Sequence, residues 1–231
     1  MIVAMHQPNF LPWLGFFYKF AKADLMIICD TLPFSKGSYT QRVKIKTQGG
    51  PRWLTLPVIH TGTVGEPIRN VRCGGWPCWR QRILDGLKGN YINAPHYRLF
   101  AGEIGEIVLS SGEILAEFNC NLLRYVAGKL NIKTPVTYSS LLPIPPQSNA
   151  TAWIIAVAKS VGADAFLSGF GGANYQDEEA YAREGIRLIY SDFLHPVYPQ
   201  LFGEFVSGLS VVDLIFNCGP GSAAILRGQV P

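Results

Sequence analysis

Four groups of polar side chains in this 231-residue chain have the types and spacing to do chemistry. The first is His6, Gln7 and Asn9, followed by Trp13, in a stretch stiffened by Pro8, Pro12 and Gly15. Such preorganised groups orient a ligand, and a histidine can move a proton near neutral pH. The plain reading is a strand–helix turn with Trp13 plugging the core. The second is Asp30 with Lys36, Arg42, Lys44 and Lys46. Asp30 could serve as a general base, and the cations could grip phosphate or carboxylate, arginine by its bidentate fork. The plain reading is a solvated basic hairpin. The third is the run from Ser168 through Gly169, Gly171 and Gly172 to Tyr175. Its glycines allow close backbone approach, and exposed amides ahead of a helix bind anions. It is neither a dinucleotide fingerprint nor a Walker loop, and no Gly-x-Ser-x-Gly elbow surrounds Ser168. The fourth is Asp192, His195, Tyr198 and Gln200, where His195 is a candidate general base and equally a structural hydrogen-bonder. Ser210 and Asp213 stand three apart and share a helix face, with capping as their plain reading.

The elements that must position these groups follow from hydrophobic patterning. Residues 2–5 and 25–29 are short apolar runs around a helix at 16–23. Two buried runs flanking a helix predict a βαβ unit and a parallel sheet, with the His6 loop and Asp30 at strand carboxyl ends. Open α/β sheets bind ligands at those ends. The alternation in 52–58 predicts a strand, and 62–77 is Gly-rich and irregular. Helices are expected at 78–88, 97–109 and 111–130, a strand at 136–139, and a Pro-rich linker at 141–149. The α/β rhythm then resumes: a helix capped by Thr151, a strand at 165–167, a helix from Asp177, a strand at 186–190 and a helix near 209–216. The fold expectation is therefore α/β, mostly parallel, with Rossmann-like or nucleotidyltransferase-like βαβ units. One domain spans residues 1–231, with an inserted helical segment at about 78–131. Nucleotidyltransferases carry His-x-Gly-His after the first strand. Here Trp13-Leu14-Gly15-Phe16 keeps the glycine and lacks both histidines.

Composition narrows the function classes. With 48% hydrophobic and 16% charged residues the chain is not disordered, and a net charge of +4 gives little support to nucleic-acid binding. The uncharged stretches at 1–18 and 134–158 are broken by prolines, so no membrane span is expected. Five cysteines match no zinc spacing; reduced thiols, no metal and a cytoplasmic location are the expectation.

The motif His6-Gln-Pro-Asn-Phe-Leu-Pro-Trp-Leu-Gly-Phe-Phe-Tyr-Lys, with Ala23-Asp24 and Asp30, resembles the start of the WbqC-like proteins. The likeness continues through Arg52-Trp-Leu-Thr-Leu-Pro-Val, Leu167-Ser-Gly with Tyr175, Gly185-Ile186 and Leu209-Ser-Val-Val-Asp-Leu-Ile-Phe-Asn-Cys-Gly. It covers nearly the whole chain. Gln7, Trp13, Asp30, Arg42, Ser168, Gly169, Tyr175, Ser210 and Asp213 match the family pattern. After Asp30 the chain departs from it, with Thr31-Leu-Pro-Phe34 where family members often have an acidic or Gln-Tyr sequence. The resemblance implies a role in bacterial surface polysaccharide (O-antigen) biosynthesis, as a transferase of an acyl or aminoacyl (glycyl) group onto an amino sugar.

Together these readings predict an enzyme acting on an anionic sugar or sugar nucleotide, with a nucleotide or activated acyl donor as cosubstrate. His6, Asp30 and His195 are the candidate catalytic groups. Gln7, Asn9, Trp13, Lys36, Arg42, Lys44, Ser168, Gly169, Gly171, Gly172, Tyr175, Ser210 and Asp213 are candidate substrate-binding positions. ATP-dependent activation of a substrate by a nucleotidyltransferase-like enzyme is one alternative. A non-catalytic binding module with Trp76 and Trp79 as docking groups is another. Oligomeric state stays open.

Overall fold

A computed structural model describes residues 1–169, 171–172 and 176–229. Tyr175, one of the candidate binding positions, lies outside the described residues.

The first apolar run forms β1 (Ile2–His6), the next residues form α1 (Leu14–Lys22), and the second run forms β2 (Leu25–Ile28). Three later strands join them in one sheet: β7 (Val136–Tyr138), β8 (Ala165–Ser168) and β9 (Arg187–Tyr190). The order is β7-β2-β1-β8-β9, and every pairing is parallel. The chain builds outward from β1 on one side through β2 and β7, then crosses to the other side for β8 and β9. The order therefore reverses between β1 and β8. Side chains alternate across β1: Val3 and Met5 pack in the hydrophobic cluster with α5 (Ala150–Ser160) and Tyr181 of α6 (Glu178–Arg183). Ala4 faces the larger cluster, which contains Phe16, Phe17 and Phe20 of α1. Both faces of the sheet are covered, as a parallel sheet requires.

The crossing from β2 to β7 holds most of the remaining structure. A hairpin pairs β3 (Arg42–Thr47) with β4 (Gly50–Thr55), and a short one pairs β5 (Val58–Ile59) with β6 (Arg72–Cys73). Then come α2 (Trp79–Tyr91), α3 (Tyr97–Ser110) and α4 (Leu115–Lys129), whose apolar faces join the larger cluster. Helix α7 (Val211–Cys218) and the short α8 (Ser222–Leu226), which patterning did not predict, pack in the same cluster.

Two expected helix starts are corrected. Helix α4 begins at Leu115 rather than Ser111, because Ile114 runs extended and bridges Arg72 of β6: Cys73 N–H donates to the Glu113 carbonyl and Leu115 N–H to the Val71 carbonyl. Helix α5 is capped by Asn149, whose Oδ1 accepts from Ala152 N–H at 2.9 Å. Thr151 sits inside the first turn, where its hydroxyl accepts from Asp177 N–H. Asp177 caps α6, accepting from Ala180 N–H.

Candidate active site at the strand-order reversal

The loop after β1 is pinned from three sides. Asn119, fully buried on α4, donates through Nδ2 to the Pro8 and Thr40 carbonyls, both at 2.8 Å. Phe10 N–H bonds the Tyr39 carbonyl. The Ser210 hydroxyl donates to the Leu11 carbonyl at 2.7 Å, and Val211 N–H to Pro12. Leu11 thereby adopts φ 40°, a conformation side-chain-bearing residues seldom take without such support. Gly15 is explained by Trp13: a Cβ at 15 would lie 2.5 Å from the folded-over indole.

These restraints fix His6 and Gln7 at the mouth of a cavity of about 560 Å³. Met5, Cys29, Leu32, Phe166, Trp153 and Ile154 give it largely apolar walls, and Ser168, Gly169, Gly171, Gly172 and Gln176 close the β8 side. It occupies the carboxyl ends of β1 and β8, where the order reverses and open α/β sheets bind ligands. Its volume suits a small molecule. A larger groove, about 730 Å³, runs between α5 and α6; its Lys159 pairs with Glu184 and its Arg183 with Asp177, so it presents charges already matched.

Lys19 of α1 also lines this cavity, though its setting in Phe16-Phe-Tyr-Lys-Phe gave no sign of it. Pairing of β1 with β2 runs to His6 and Ile28, but pairing with β8 stops at Ala4 and Leu167. The His6 carbonyl accepts from Cys29 N–H on the β2 side, so strand alternation turns the Met5 carbonyl toward β8. Lys19 Nζ donates to that carbonyl at 2.9 Å and fills the opening between the strands. The lysine is 6% exposed, and burial drives its pKa down to about 8. His6 is driven down to about 3, first by burial and then by the Lys19 charge. It is a neutral ring whose Nδ1–H donates to the Gln7 carbonyl, leaving Nε2 as the acceptor. Burial pushes the Cys29 thiol up to about 12, so it offers no thiolate nucleophile.

On the β8 side the Ser168 hydroxyl donates to the Gly169 carbonyl and accepts from Gln176 Nε2 at 2.8 Å. Gly172 packs against this pair so closely that a Cβ there would lie 2.1 Å from Ser168 Oγ. Gln176 Oε1 is buried without a hydrogen-bond partner among the described residues.

The other expected site residues fall elsewhere. Asn9 is buried but is not part of the cavity wall. Asp30 Oδ1 accepts from the Ser139 hydroxyl and Ser140 N–H, and Oδ2 from the Ser140 hydroxyl. The carboxylate thus anchors the turn after β7 instead of facing the cavity. His195 Nε2 accepts from Gly208 N–H at 3.1 Å, which requires the proton on Nδ1, and Nδ1 donates to the Pro196 carbonyl. Its lone pair is engaged, so proton abstraction there would need that bond to break. The ring packs among Trp13, Phe193, Tyr198 and Phe205, and burial lowers its pKa. Lys36 is exposed, and Arg42 and Lys44 lie over the Trp53 ring on the β3–β4 hairpin. None of the three lines the cavity. Lys46 turns inward, donating to Gln200 Oε1 and the Glu204 carbonyl. Its backbone N–H donates to the Tyr91 hydroxyl, which in turn donates to Asp213 Oδ2 at 2.9 Å. Ser210 caps α7. Ser210 and Asp213 therefore hold the framework: one clasps the loop after β1, the other ties α2 and α7 to the hairpin. Among the described residues no cluster of His, Cys, Asp and Glu could hold a metal. Among the same residues no helix is long and apolar enough to cross a membrane.

Comparison with known proteins decides the family. The WbqC-like protein family matches residues 7–225. The chain belongs to the WbqC-like family. It is 30% identical over 227 residues to the uncharacterized protein Rv1507c of Mycobacterium tuberculosis (strain ATCC 25618 / H37Rv), a match covering 97% of each chain. No solved structure matches.

Proposed function

We propose that this WbqC-like protein is an enzyme that modifies an amino sugar or sugar nucleotide of bacterial surface polysaccharide by acyl or aminoacyl transfer, in the cavity between the ends of β1 and β8. The observation that carries this reading is the convergence of His6, Gln7, Ser168, Gly169, Gly171 and Gly172 on one largely apolar hollow at the strand-order reversal. In the reaction, the sugar's amine forms a C–N bond to the donor's carbonyl carbon, and the bond to the leaving group breaks. The leaving group carries off the amine's proton. His6 Nε2, held neutral with a free lone pair, accepts a hydrogen bond from the amine and aims it. The Gly171 backbone amide would stabilise the oxyanion, Gly172 N–H being already donated to the Gly169 carbonyl. The test is incubation with amino-sugar nucleotides and a panel of acyl donors, read by mass spectrometry. Acylated sugar nucleotide is expected from wild type and at least tenfold less from His6→Ala. Failure to acylate any member, or undiminished rates in His6→Ala, overturns the mechanism.

The reversal point of a Rossmann-like strand order also favours a second reading, ATP-dependent activation of the acceptor or donor. Pyrophosphate release on adding ATP and substrate would select it.

A further inference from the structure

An ammonium ion carries three donors and no acceptor. Lys19 spends one donor on the Met5 carbonyl, a neutral group, and among the described residues it forms no ion pair. The groups around it are neutral too: the His6 ring, the Cys29 thiol, the Ser168 hydroxyl and apolar walls. Placing a charge in such surroundings costs several kcal/mol unless something compensates it. A lysine needed only to cap the Met5 carbonyl would be an expensive choice, since a serine, an amide or water does that without burying charge. The cavity opens directly on the lysine, so the missing counter-charge has a place to come from.

We infer that the cavity between β1 and β8 is an anion site, in which the Lys19 ammonium pairs with a phosphoryl or carboxylate oxygen of a small ligand. The inference deepens the reading above by assigning the ligand's charged end, and it rests on that reading only for the choice of cavity. Gln176 Oε1, also in the cavity wall and without a partner among the described residues, then takes a hydroxyl or N–H donor from the same ligand. The charge requirement comes from α1, not from Lys36, Arg42 and Lys44, which lie outside the cavity wall.

The test is a thermal-shift titration at pH 6.5 and 9.5 with three probes whose charge is constant over that range: sulfate, acetate and adenosine diphosphate glucose. Wild type, Lys19→Met and Lys22→Met are compared; the last removes the same charge from an exposed position of α1. Subtracting the Lys19→Met response removes general salt effects. At least one probe should stabilise wild type and Lys22→Met and not Lys19→Met. A response to sulfate or the sugar nucleotide identifies a phosphoryl ligand, and one to acetate a carboxylate ligand. Wild-type affinity should fall at least tenfold between pH 6.5 and 9.5, an arm that needs no folded variant. Unliganded Lys19→Met should melt no lower than wild type. The proposal is overturned if no probe binds wild type, if Lys19→Met binds as well, or if wild-type affinity is the same at both pH values. Anion binding without any acyl transfer would remove the proposed reaction and leave the anion site standing.

Discussion

Two single residues set how the cavity responds to pH. The folded pKa of Lys19 lies below its unfolded value, so the unfolded chain binds the extra proton between about pH 8 and 10.5. Stability therefore rises with pH across that window, by on the order of 3 kcal/mol if Lys19 acts alone. The gain is fully present above the unfolded value and is lost as pH falls to about 8. His6 has the same sign in another window: its stabilisation is complete above pH 6.5 and is lost as pH falls toward 3. Chemical denaturation of wild type and Lys19→Met from pH 7 to 10.5 checks the first effect. The difference between them should shrink or reverse as pH rises, and a constant offset would contradict the charge argument. Gly172 gives a steric prediction. Ala at 172 must displace the Ser168–Gln176 pair, so Gly172→Ala should lower ligand affinity at least tenfold, measured by the same titration, while most of the fold persists.

At the scale of elements, the loop after β1 is held chiefly by α4 and α7. Removing the Asn119 amide strands two buried carbonyls, so Asn119→Leu should cost about 2–6 kcal/mol of unfolding free energy, at about 1–3 kcal/mol for each stranded acceptor. Ser210→Ala should cost about 1.5–5 kcal/mol, through its lost cap and the buried Leu11 carbonyl left without its donor. Denaturant titration reads both. The sequence made the framework legible wherever an element buries apolar residues with its own period. The βαβ start, the strands at 165 and 187, and the helices from 79 to 129 follow from local patterning. Element ends were less legible, since an extended pairing to β6 delays α4 and Asn149 precedes Thr151 at α5. At the site, His6, Gln7 and the glycine loop could be read from their place after short apolar runs. Lys19 could not, because in sequence it is one basic residue of a helix. Its burial follows from β1 and β8 parting one residue beyond Ala4, a fact of register. Asp30, His195, Ser210 and Asp213 were conspicuous as chemistry, and the tertiary structure uses them as anchors.

Across the whole molecule, two surfaces compete as the place where a ligand sits. One is the hollow at the strand-order reversal. The other is the face shared by the β3–β4 hairpin and the start of α2, where Trp53 and Trp76 are 40% and 48% exposed and carry Arg42, Lys44 and Arg82 against their rings. Stacked arginines and exposed indoles can hold a sugar ring or an anion, and this face has the greater density of positive charge. The hollow instead has depth, a buried unmatched ammonium and a neutral imidazole. The burial of Lys19 decides in its favour: Lys44 and Arg82 are exposed and Arg42 is half-buried, so water reaches those cations, whereas Lys19 is buried.

The most direct measurement is an amide NMR titration of the 231-residue chain with uridine diphosphate N-acetylglucosamine at pH 6.5, mapped residue by residue. Shifts are expected to concentrate at residues 5–7, 19, 29, 168–172 and 176, and to disappear in Lys19→Met. Shifts centred on Arg42, Trp53 and Trp76, with the β1 and β8 ends unmoved, would contradict it.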